Sequence, residues 1–143
     1  MNEPLQYIKR TKNGVFYYKD EKKTIFHRED GPALEFANGD KQWWFNGQLH
    51  RKGGPAVEYT NGDKAWWQND QLHREDGPAI EFSYGDKEWY QRGMRHRVDG
   101  PAVELVYGTK TWWFNGELHR IDGPAIERPD GTEEYWIKGR KIR

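Results

Sequence analysis

The chain has 143 residues, no cysteine, and equal numbers of basic and acidic residues, 23 of each. The lack of cysteine excludes disulfides, thiolate metal sites and a cysteine nucleophile. A net charge of zero argues against a general nucleic-acid binder, because such proteins present a basic face to the phosphates.

No apolar stretch approaches the roughly 18 residues that a membrane-spanning helix needs. Residues 1–6 lack the basic and then apolar pattern of a secretory signal peptide. We therefore expect a cytoplasmic protein with no membrane span.

Residues 1–26 form the first predicted element, an N-terminal capping hairpin. The segments 7–10 and 15–18 are rich in β-forming residues and flank a turn that ends in Asn13-Gly14. This segment lacks the tryptophan pair found in the rest of the chain, and terminal units of repeat proteins usually depart from the common pattern.

From His27 onward, one motif returns every 23 residues. The segment His27-Arg28-Glu29-Asp30-Gly31-Pro32-Ala33 recurs with small changes at His50, His73, His96 and His119. A period between about 20 and 50 residues is typical of stacked repeats. We therefore divide residues 27–143 into five repeats, 27–49, 50–72, 73–95, 96–118 and 119–143. In such proteins function usually lies on an extended surface.

The third repeat illustrates the predicted local structure. Residues 79–83 alternate apolar and polar side chains and predict a strand, residues 84–86 a turn, and residues 87–91 a second strand. Arg92-Gly93 turns the chain again, and residues 94–101 connect to the next hairpin. Glycine or proline interrupts every segment long enough for a helix. The predicted fold is all-β, a single-domain solenoid of stacked antiparallel β-hairpins.

The histidines and aspartates that stay fixed between repeats could form a catalytic row or a metal site. The expected distance between equivalent residues of adjacent repeats argues against both. Equivalent atoms of adjacent hairpins lie about 10 Å apart, whereas zinc holds its ligands at about 2 Å. We expect no metal, no cofactor and no catalytic residue in this set, and we assign it to structure, where its members satisfy connector backbone groups and one another. The set is His27, Asp30, His50, His73, Asp76, His96, Asp99, His119 and Asp122.

Each repeat carries a pair of adjacent aromatic residues, Trp43-Trp44 in the first. Neighbouring residues of one strand point to opposite faces. With a two-residue turn the first aromatic of each pair faces the side of the aliphatic core, and with a three-residue turn the second does. The sequence leaves both open, and it also leaves open whether a curled ribbon buries both stripes.

Positions that vary between repeats are free to specify a partner, and an exposed aromatic stripe usually marks a binding site. The turn positions alternate between asparagine and tyrosine, and two strand positions alternate between apolar and polar residues. The candidate partner-binding residues are Phe36, Trp44, Phe45, Tyr59, Trp67, Phe82, Tyr84, Tyr90, Tyr107, Trp113 and Phe114.

The repeats resemble MORN repeats, in the variant where an Asn-Gly turn leads through a histidine to Gly-Pro and an alternating strand. The segment that carries the resemblance is Asn46-Gly47-Gln48-Leu49-His50-Arg51-Lys52-Gly53-Gly54-Pro55-Ala56-Val57-Glu58-Tyr59. The Tyr-x-Gly-x-Trp core of the standard repeat is absent, and residues 41–45 stand in its place. The resemblance implies a non-catalytic scaffold, oligomerisation module, membrane-associated adaptor or antitoxin.

We expect a non-enzymatic protein that binds a protein partner as an inhibitor, an antitoxin-like protein or a phage-encoded blocker of a defence protein. The sequence offers few candidate nucleophiles, since Ser83 is the single serine and lies at a position that varies between repeats. One alternative is a self-assembling scaffold or homodimer. Another is a nucleotide or small-ligand binder that stacks bases on tryptophan.

Overall fold

The computed structural model describes residues 6–143, and every regular element among them is a β-strand. The fold predicted from the repeats, all-β and built from successive antiparallel hairpins, is therefore confirmed. The chain divides into two compact units, the first ending at Gln71 and the second covering Leu72–Arg143. This division falls next to His73, where the third repeat begins.

The strands of the first unit are β1 Tyr7–Thr11, β2 Gly14–Tyr18, β3 Leu34–Phe36, β4 Lys41–Gln42, β5 Trp44–Phe45, β6 Gln48–Leu49, β7 Val57–Glu58, β8 Lys64–Ala65 and β9 Trp67–Gln68. Six of them form an antiparallel sheet in the order β1-β2-β3-β4-β7-β8. The pair β5 and β6 forms a separate hairpin. Strand β10, Gln71–Leu72, lies where one unit ends along the chain and the other begins.

The strands of the second unit are β11 Ile80–Glu81, β12 Lys87–Glu88, β13 Tyr90–Gln91, β14 Met94–Arg95, β15 Val103–Glu104, β16 Lys110–Thr111, β17 Trp113–Phe114, β18 Glu117–Leu118, β19 Ile126–Glu127, β20 Glu133–Glu134, β21 Trp136–Ile137 and β22 Arg140–Lys141. Strands β11-β12-β15-β16-β19-β20 form an antiparallel sheet in that order. The other six pair as three hairpins.

The N-terminal segment contains the hairpin β1–β2, with Thr11 paired to Gly14 across a two-residue loop. Tyr18, at the end of β2, is buried and its ring stacks on that of Phe26 at 5.1 Å. Strand β2 pairs with β3 of the first repeat on its other side. The hairpin therefore continues the sheet, while its capping role stays a prediction.

Each repeat contains two hairpins, where the sequence predicted one hairpin and a connector. The predicted strand over residues 87–91 is wrong in extent, because it breaks at Trp89 into β12 and β13. The N–H of Trp89 donates to the carbonyl of Ala102 (2.7 Å), and its own carbonyl accepts from the N–H of His96 (3.1 Å). These bonds turn the chain at the first aromatic, so that the second aromatic enters a different hairpin.

The turn of the first hairpin is three residues long. The sequence had left open whether this turn has two residues or three. Ile80 pairs with Glu88, and the N–H of Phe82 donates to the carbonyl of Asp86 (3.0 Å), leaving residues 83–85 as the loop. The first strand is shorter than the predicted 79–83, since only Ile80 and Glu81 lie in β11.

The second hairpins stack on one another through backbone hydrogen bonds. In the second unit Gly116 donates to the carbonyl of Arg95, and Gly139 donates to that of Leu118, both at 2.9 Å. Their two-residue turns have positive φ at both positions, as at Asn115 (47°) and Gly116 (81°), which matches the twist of the flanking strands. Each unit is therefore held by a sheet of first hairpins and by a stack of second hairpins.

The core is thin and consists of small side chains. The alanine that follows proline in each repeat has no exposed surface, which lets neighbouring backbone segments approach closely. Leu34, Val57 and Val103 are also buried, and no large side chain among residues 6–143 is completely buried. Stability therefore comes from many half-buried aromatics and hydrogen-bonded contacts, each worth about 1 kcal/mol. The fully buried alanines are Ala33, Ala56, Ala79, Ala102 and Ala125.

Candidate functional site

The fixed arginine of each repeat ties the connector to the sheet. In the fourth repeat, Nε of Arg97 donates to Asp99 (3.1 Å), and Nη1 donates to the carbonyl of Pro101 and to Glu104 (3.0 Å each). Its guanidinium lies 3.9 Å above the ring of Trp89, a cation–π contact. The same bonds to the connector recur at Arg28, Arg74 and Arg120.

The fixed glycine of the motif makes room for that arginine. A Cβ atom on Gly100 would lie 3.0 Å from Cζ of Arg97, and one on Gly123 would lie 2.8 Å from Cζ of Arg120. Such distances are shorter than van der Waals contact. The glycine of the Asp-Gly-Pro sequence is therefore explained by its packing against the arginine guanidinium.

The fixed histidine holds the second hairpin of its own unit through a backbone bond. Nδ1 of His96 accepts from the N–H of Asn115 (3.0 Å), and Nδ1 of His27 accepts from that of Asn46 (2.9 Å). Nδ1 can accept only when the ring is neutral with its proton on Nε2. Burial and the nearby charge of Arg92 lower the pKa of His96, which favours that neutral form. The same bond is made by His50, His73 and His119.

Each member of the fixed set thus has a structural partner in the described part of the chain. Over residues 6–143, no group of three or more histidine, aspartate or glutamate side chains is arranged to hold a metal ion. His27 is buried and the other four histidines are half-buried, while Asp30, Asp76, Asp99 and Asp122 are exposed.

The two aromatics of each pair are both half-buried, but they have different contacts. The first lies beneath an arginine, as Trp43 lies 3.8 Å below Arg51. In four of the five pairs the second has its polar atom bonded to the side chain two residues earlier, as Nε1 of Trp113 donates to Thr111 (2.7 Å). The exception is Trp67, which has Ala65 at that position. Tyr90 donates to Glu88 (2.8 Å), and burial together with this carboxylate raises the pKa of its hydroxyl. Neither stripe is an open surface.

Two phenylalanines of the second hairpins contact histidines from successive repeats. The ring of Phe45 lies 4.6 Å from that of His27 and 6.2 Å from that of His50. Phe114 lies at 4.5 and 6.0 Å from the corresponding two rings. Both phenylalanines remain exposed on one side.

The first-hairpin turns of the second unit carry a contiguous exposed apolar patch. Tyr84 is 61% exposed, Val106 64% and Tyr107 66%. The two turns touch, because the N–H of Val106 donates to Asp86 (2.7 Å) and a Cβ on Gly85 would lie 3.1 Å from Cγ2 of Val106. We call Tyr84, Val106 and Tyr107 the turn edge.

The equivalent turns of the first unit are polar and internally hydrogen-bonded. Asn38 accepts from the N–H of Asp40 (2.9 Å) and donates to its carboxylate (3.1 Å), and Asn61 makes the same two bonds with Asp63. A tyrosine cannot reproduce this pair of bonds with its own turn. The tyrosines of the turn edge therefore do not provide the side-chain bonds that asparagine makes within its own turn.

Of the predicted partner-binding residues, the structure exposes five and half-buries six. The exposed ones are Phe45, Tyr59, Tyr84, Tyr107 and Phe114. The half-buried ones are Phe36, Trp44, Trp67, Phe82, Tyr90 and Trp113. Tyr84 and Tyr107 lie on successive turns of one unit, and the ring of Tyr84 stacks on that of Phe82 at 5.4 Å.

Sequence reasoning missed several exposed aliphatic side chains, among them Val98, Val106 and Ile121. Val98 and Ile121 occupy the connector position that holds glutamate or lysine in the other repeats, and Val106 occupies a turn position that holds Ala37, Thr60 and Ser83 elsewhere. At the connector position, an apolar residue where the equivalent repeats are charged was the signal that could have identified Val98 and Ile121. The signal at Val106 is weaker, because Ala37 and Pro129 also lack a polar side chain.

Comparison with known proteins finds no family model that matches the chain, and no match among curated proteins. The part of the chain that the structure describes also contains no helix long and apolar enough to cross a membrane.

Proposed function

We propose that this chain is a non-enzymatic binding protein that engages a protein partner through the turn edge of its second unit. The exposed row of Tyr84, Val106 and Tyr107 carries this proposal. Tyrosine is enriched at interface hot spots, because its rigid ring offers a large apolar area together with a polar atom.

The contrast with the first unit supports a role outside folding. Asparagine at the turn position stabilises its own hairpin, so the tyrosines are not needed to build the same turn. Exposed apolar side chains contribute little to the stability of the free protein, but they gain free energy when a partner covers them, at about 25 cal/mol per Å².

The mode of action that fits a binding protein of this kind is occlusion. By covering a surface of its partner, the chain acts as an inhibitor, in the way of an antitoxin or of a phage-encoded blocker. Such a role needs a complementary surface and no reacting groups.

The test compares affinity purifications from the native cytoplasm. The wild-type chain is expected to retain one protein stoichiometrically, and the double variant Tyr84→Asn with Tyr107→Asn is expected to lose it. Both substitutions copy Asn61, so the variant should unfold at a temperature no lower than that of the wild type. Phe45→Gln, which copies Gln68, removes an exposed aromatic from the first unit and should keep the partner.

Three outcomes would overturn the proposal. The first is a partner that the double variant retains at wild-type stoichiometry, and the second is the absence of any stoichiometric partner. The third is a homodimer in light scattering that the double variant dissociates, since the turn edge would then serve self-assembly.

A further inference from the structure

Each unit's sheet has an edge strand whose outer side is unpaired. In the first unit β1 pairs with β2 alone, and in the second unit β20 pairs with β19 alone, within the described residues 6–143. Across the β19–β20 hairpin the N–H of Arg128 donates to the carbonyl of Thr132 (3.0 Å). Because hydrogen bonding alternates along an antiparallel strand, the N–H and carbonyl of the next residue, Glu133, face away from β19.

Arg10 takes the equivalent outward position in β1. It lies opposite Val15 of β2, and the N–H of Tyr17, two residues further along the chain, donates to the carbonyl of Ala33 on the β3 side (2.8 Å). Val15 and Tyr17 therefore bond toward β3, which leaves the N–H and carbonyl of Arg10 directed outward. The side chains of Arg10 and Glu133 are both exposed.

Within each unit, a lysine–glutamate pair joins neighbouring repeats. Lys110 of β16 pairs with Glu127 of β19, and equivalent residues pair at two other junctions. The lysine belongs to the second strand of one hairpin and the glutamate to the first strand of the next hairpin. At the two edges the charges are reversed, because Glu133 occupies the lysine position in β20 and Arg10 occupies the glutamate position in β1.

The reversal at Glu133 does not help its own hairpin. Glu133 lies directly opposite Glu127, whereas Lys110 lies opposite Glu104 in the preceding repeat. Like charges at such cross-strand positions are destabilising. Glu133 accepts a hydrogen bond from the hydroxyl of Tyr135 (3.2 Å), which is a neutral donor. The contacts within the hairpin therefore give no reason for a glutamate at this position.

The unpaired charges of the two edge strands have opposite signs. Glu134 forms ion pairs with Arg128 (2.7 Å) and Lys141 (3.6 Å), so Glu133 carries the free negative charge of β20. Both basic side chains of β1 are exposed and form no ion pair with any of residues 6–143. This complementarity is local to the two strands, because the last hairpin, β21–β22, is itself basic.

We propose that copies of this chain associate edge to edge, with β20 of one copy pairing antiparallel to β1 of the next copy. In the register of the internal junctions, Glu133 lies opposite Arg10 and Glu134 opposite Lys9, so both pairs join opposite charges. The outward backbone groups of Glu133 and Arg10 then bond to each other. Two identical edges repel, because β1 against β1 brings basic side chains together and β20 against β20 brings glutamates together.

Sedimentation velocity of the full chain tests this proposal, from about 10 µM to about 1 mM protein and in about 0.15 M salt, which screens the charges outside the junction. The contact joins two different edges, so it leaves one free β1 and one free β20 on every pair of copies. The mean mass should therefore rise with concentration beyond twice the 17.0 kDa of one chain.

Charge-reversal variants locate the junction. Glu133→Lys, which copies Lys110, should remain monomeric and should unfold at a higher temperature, because it also removes the repulsion from Glu127. Arg10→Glu should also remain monomeric. Lys22→Glu makes the same change of charge at an exposed loop position of the N-terminal segment and should associate like the wild type.

A mixture of the two monomeric variants provides the decisive measurement. Association should return when Glu133→Lys and Arg10→Glu are mixed, because the introduced lysine then faces the introduced glutamate, as in the internal junctions. Tyr84→Asn with Tyr107→Asn should associate like the wild type, so this junction and the turn edge fail or succeed separately.

Three results would overturn the inference. The first is a wild-type chain that stays monomeric at about 1 mM. The second is undiminished association of Glu133→Lys or of Arg10→Glu. The third is a mixture of these two variants that stays monomeric, since the loss in each would then have a cause other than the pairing of the two edges.

Discussion

The two units are built alike and differ at their turns and connectors. Both contain an antiparallel sheet of first hairpins and arginines stacked on aromatic rings. At the turns, the first unit has Asn38 and Asn61 where the second has Tyr84 and Tyr107. The third turn of the second unit returns to a polar residue, Asp130, which accepts from the N–H of Thr132 (2.9 Å).

The comparison distinguishes residues that are required for the fold from residues that can vary without loss of the fold. Most residues common to the units bond to their own repeat or to the next and so hold the hairpins in place, although the second repeat folds with Gly53 at the position of the aspartate. The residues that differ at the turns and at the connector tips lie at exposed positions, where the fold accepts asparagine, tyrosine, lysine or valine. At several of these exposed positions the second unit carries apolar or aromatic side chains. Substitutions at common and at differing positions should therefore affect stability to different degrees.

The largest expected effect concerns the shared arginine. Arg97→Ala should lower the free energy of unfolding by about 2–3 kcal/mol, because it removes the stack on Trp89 and leaves the Pro101 carbonyl and Glu104 without their donor. Arg51→Ala should cost less, about 1–2 kcal/mol, since Arg51 lacks the aspartate partner and its side chain is more exposed. Urea denaturation measures both.

If both variants lost the same free energy of unfolding, the aspartate beside Arg97 would contribute nothing to stability beyond the arginine's other contacts. A loss below about 0.5 kcal/mol in Arg97→Ala would contradict the view that the motif holds the connector. Glu117→Ala, at an exposed strand position, serves as a control for substitution in the same unit.

The next effect concerns the turns themselves. Asn61→Ala should lower the free energy of unfolding by about 0.5–1 kcal/mol, because Asp63 loses both the acceptor for its N–H and the donor to its carboxylate. Tyr107→Ala should change it by less than about 0.5 kcal/mol, since the side chain is mostly exposed. Thermal unfolding in parallel checks the pair. A larger loss in Tyr107→Ala would make that tyrosine part of the fold and weaken its assignment to partner binding.

Acidification should destabilise the second unit through His96. Its pKa is lowered in the folded chain, first by burial and then by Arg92, so the unfolded chain binds the proton more readily. The stability from neutral His96 is present above about pH 6.5 and is lost as the pH falls through the folded pKa. Arg92→Asn, which copies Asn69, should raise the pKa of His96, as NMR titration of its ring proton will show. An unchanged titration would mean that burial alone sets the pKa.

The overall fold was predictable because the repeat period constrains it strongly. The fixed spacing and the glycine-centred turns specified antiparallel hairpins. The corner at Trp89 was not predictable, since residues 87–91 have the composition of one continuous strand. What breaks that strand is a pair of hydrogen bonds to Ala102 and His96, contacts that local propensity does not encode.

The candidate site was predictable only in part. Tyr84 and Tyr107 were identified because they vary at a turn, where side chains usually point to solvent. The tryptophans were ambiguous, since a half-buried ring and an exposed ring have the same sequence pattern. Val98 and Ile121 were overlooked because they lie within the connector motif that the sequence analysis assigned to structure, so the variation at their position was not considered.

The smallest expected effect is that of Asp99→Asn. The carboxylate is largely exposed and bonds to Arg97 with one oxygen, and an exposed ion pair of this kind contributes about 0–0.5 kcal/mol. The amide oxygen of asparagine can still accept from Nε, and the second repeat folds with Gly53 at this position. Urea denaturation should therefore show almost no change. A stability loss above about 1.5 kcal/mol would instead show that the aspartate is needed to hold the connector, and the difference between Gly53 in the first unit and Asp99 in the second would then reflect folding.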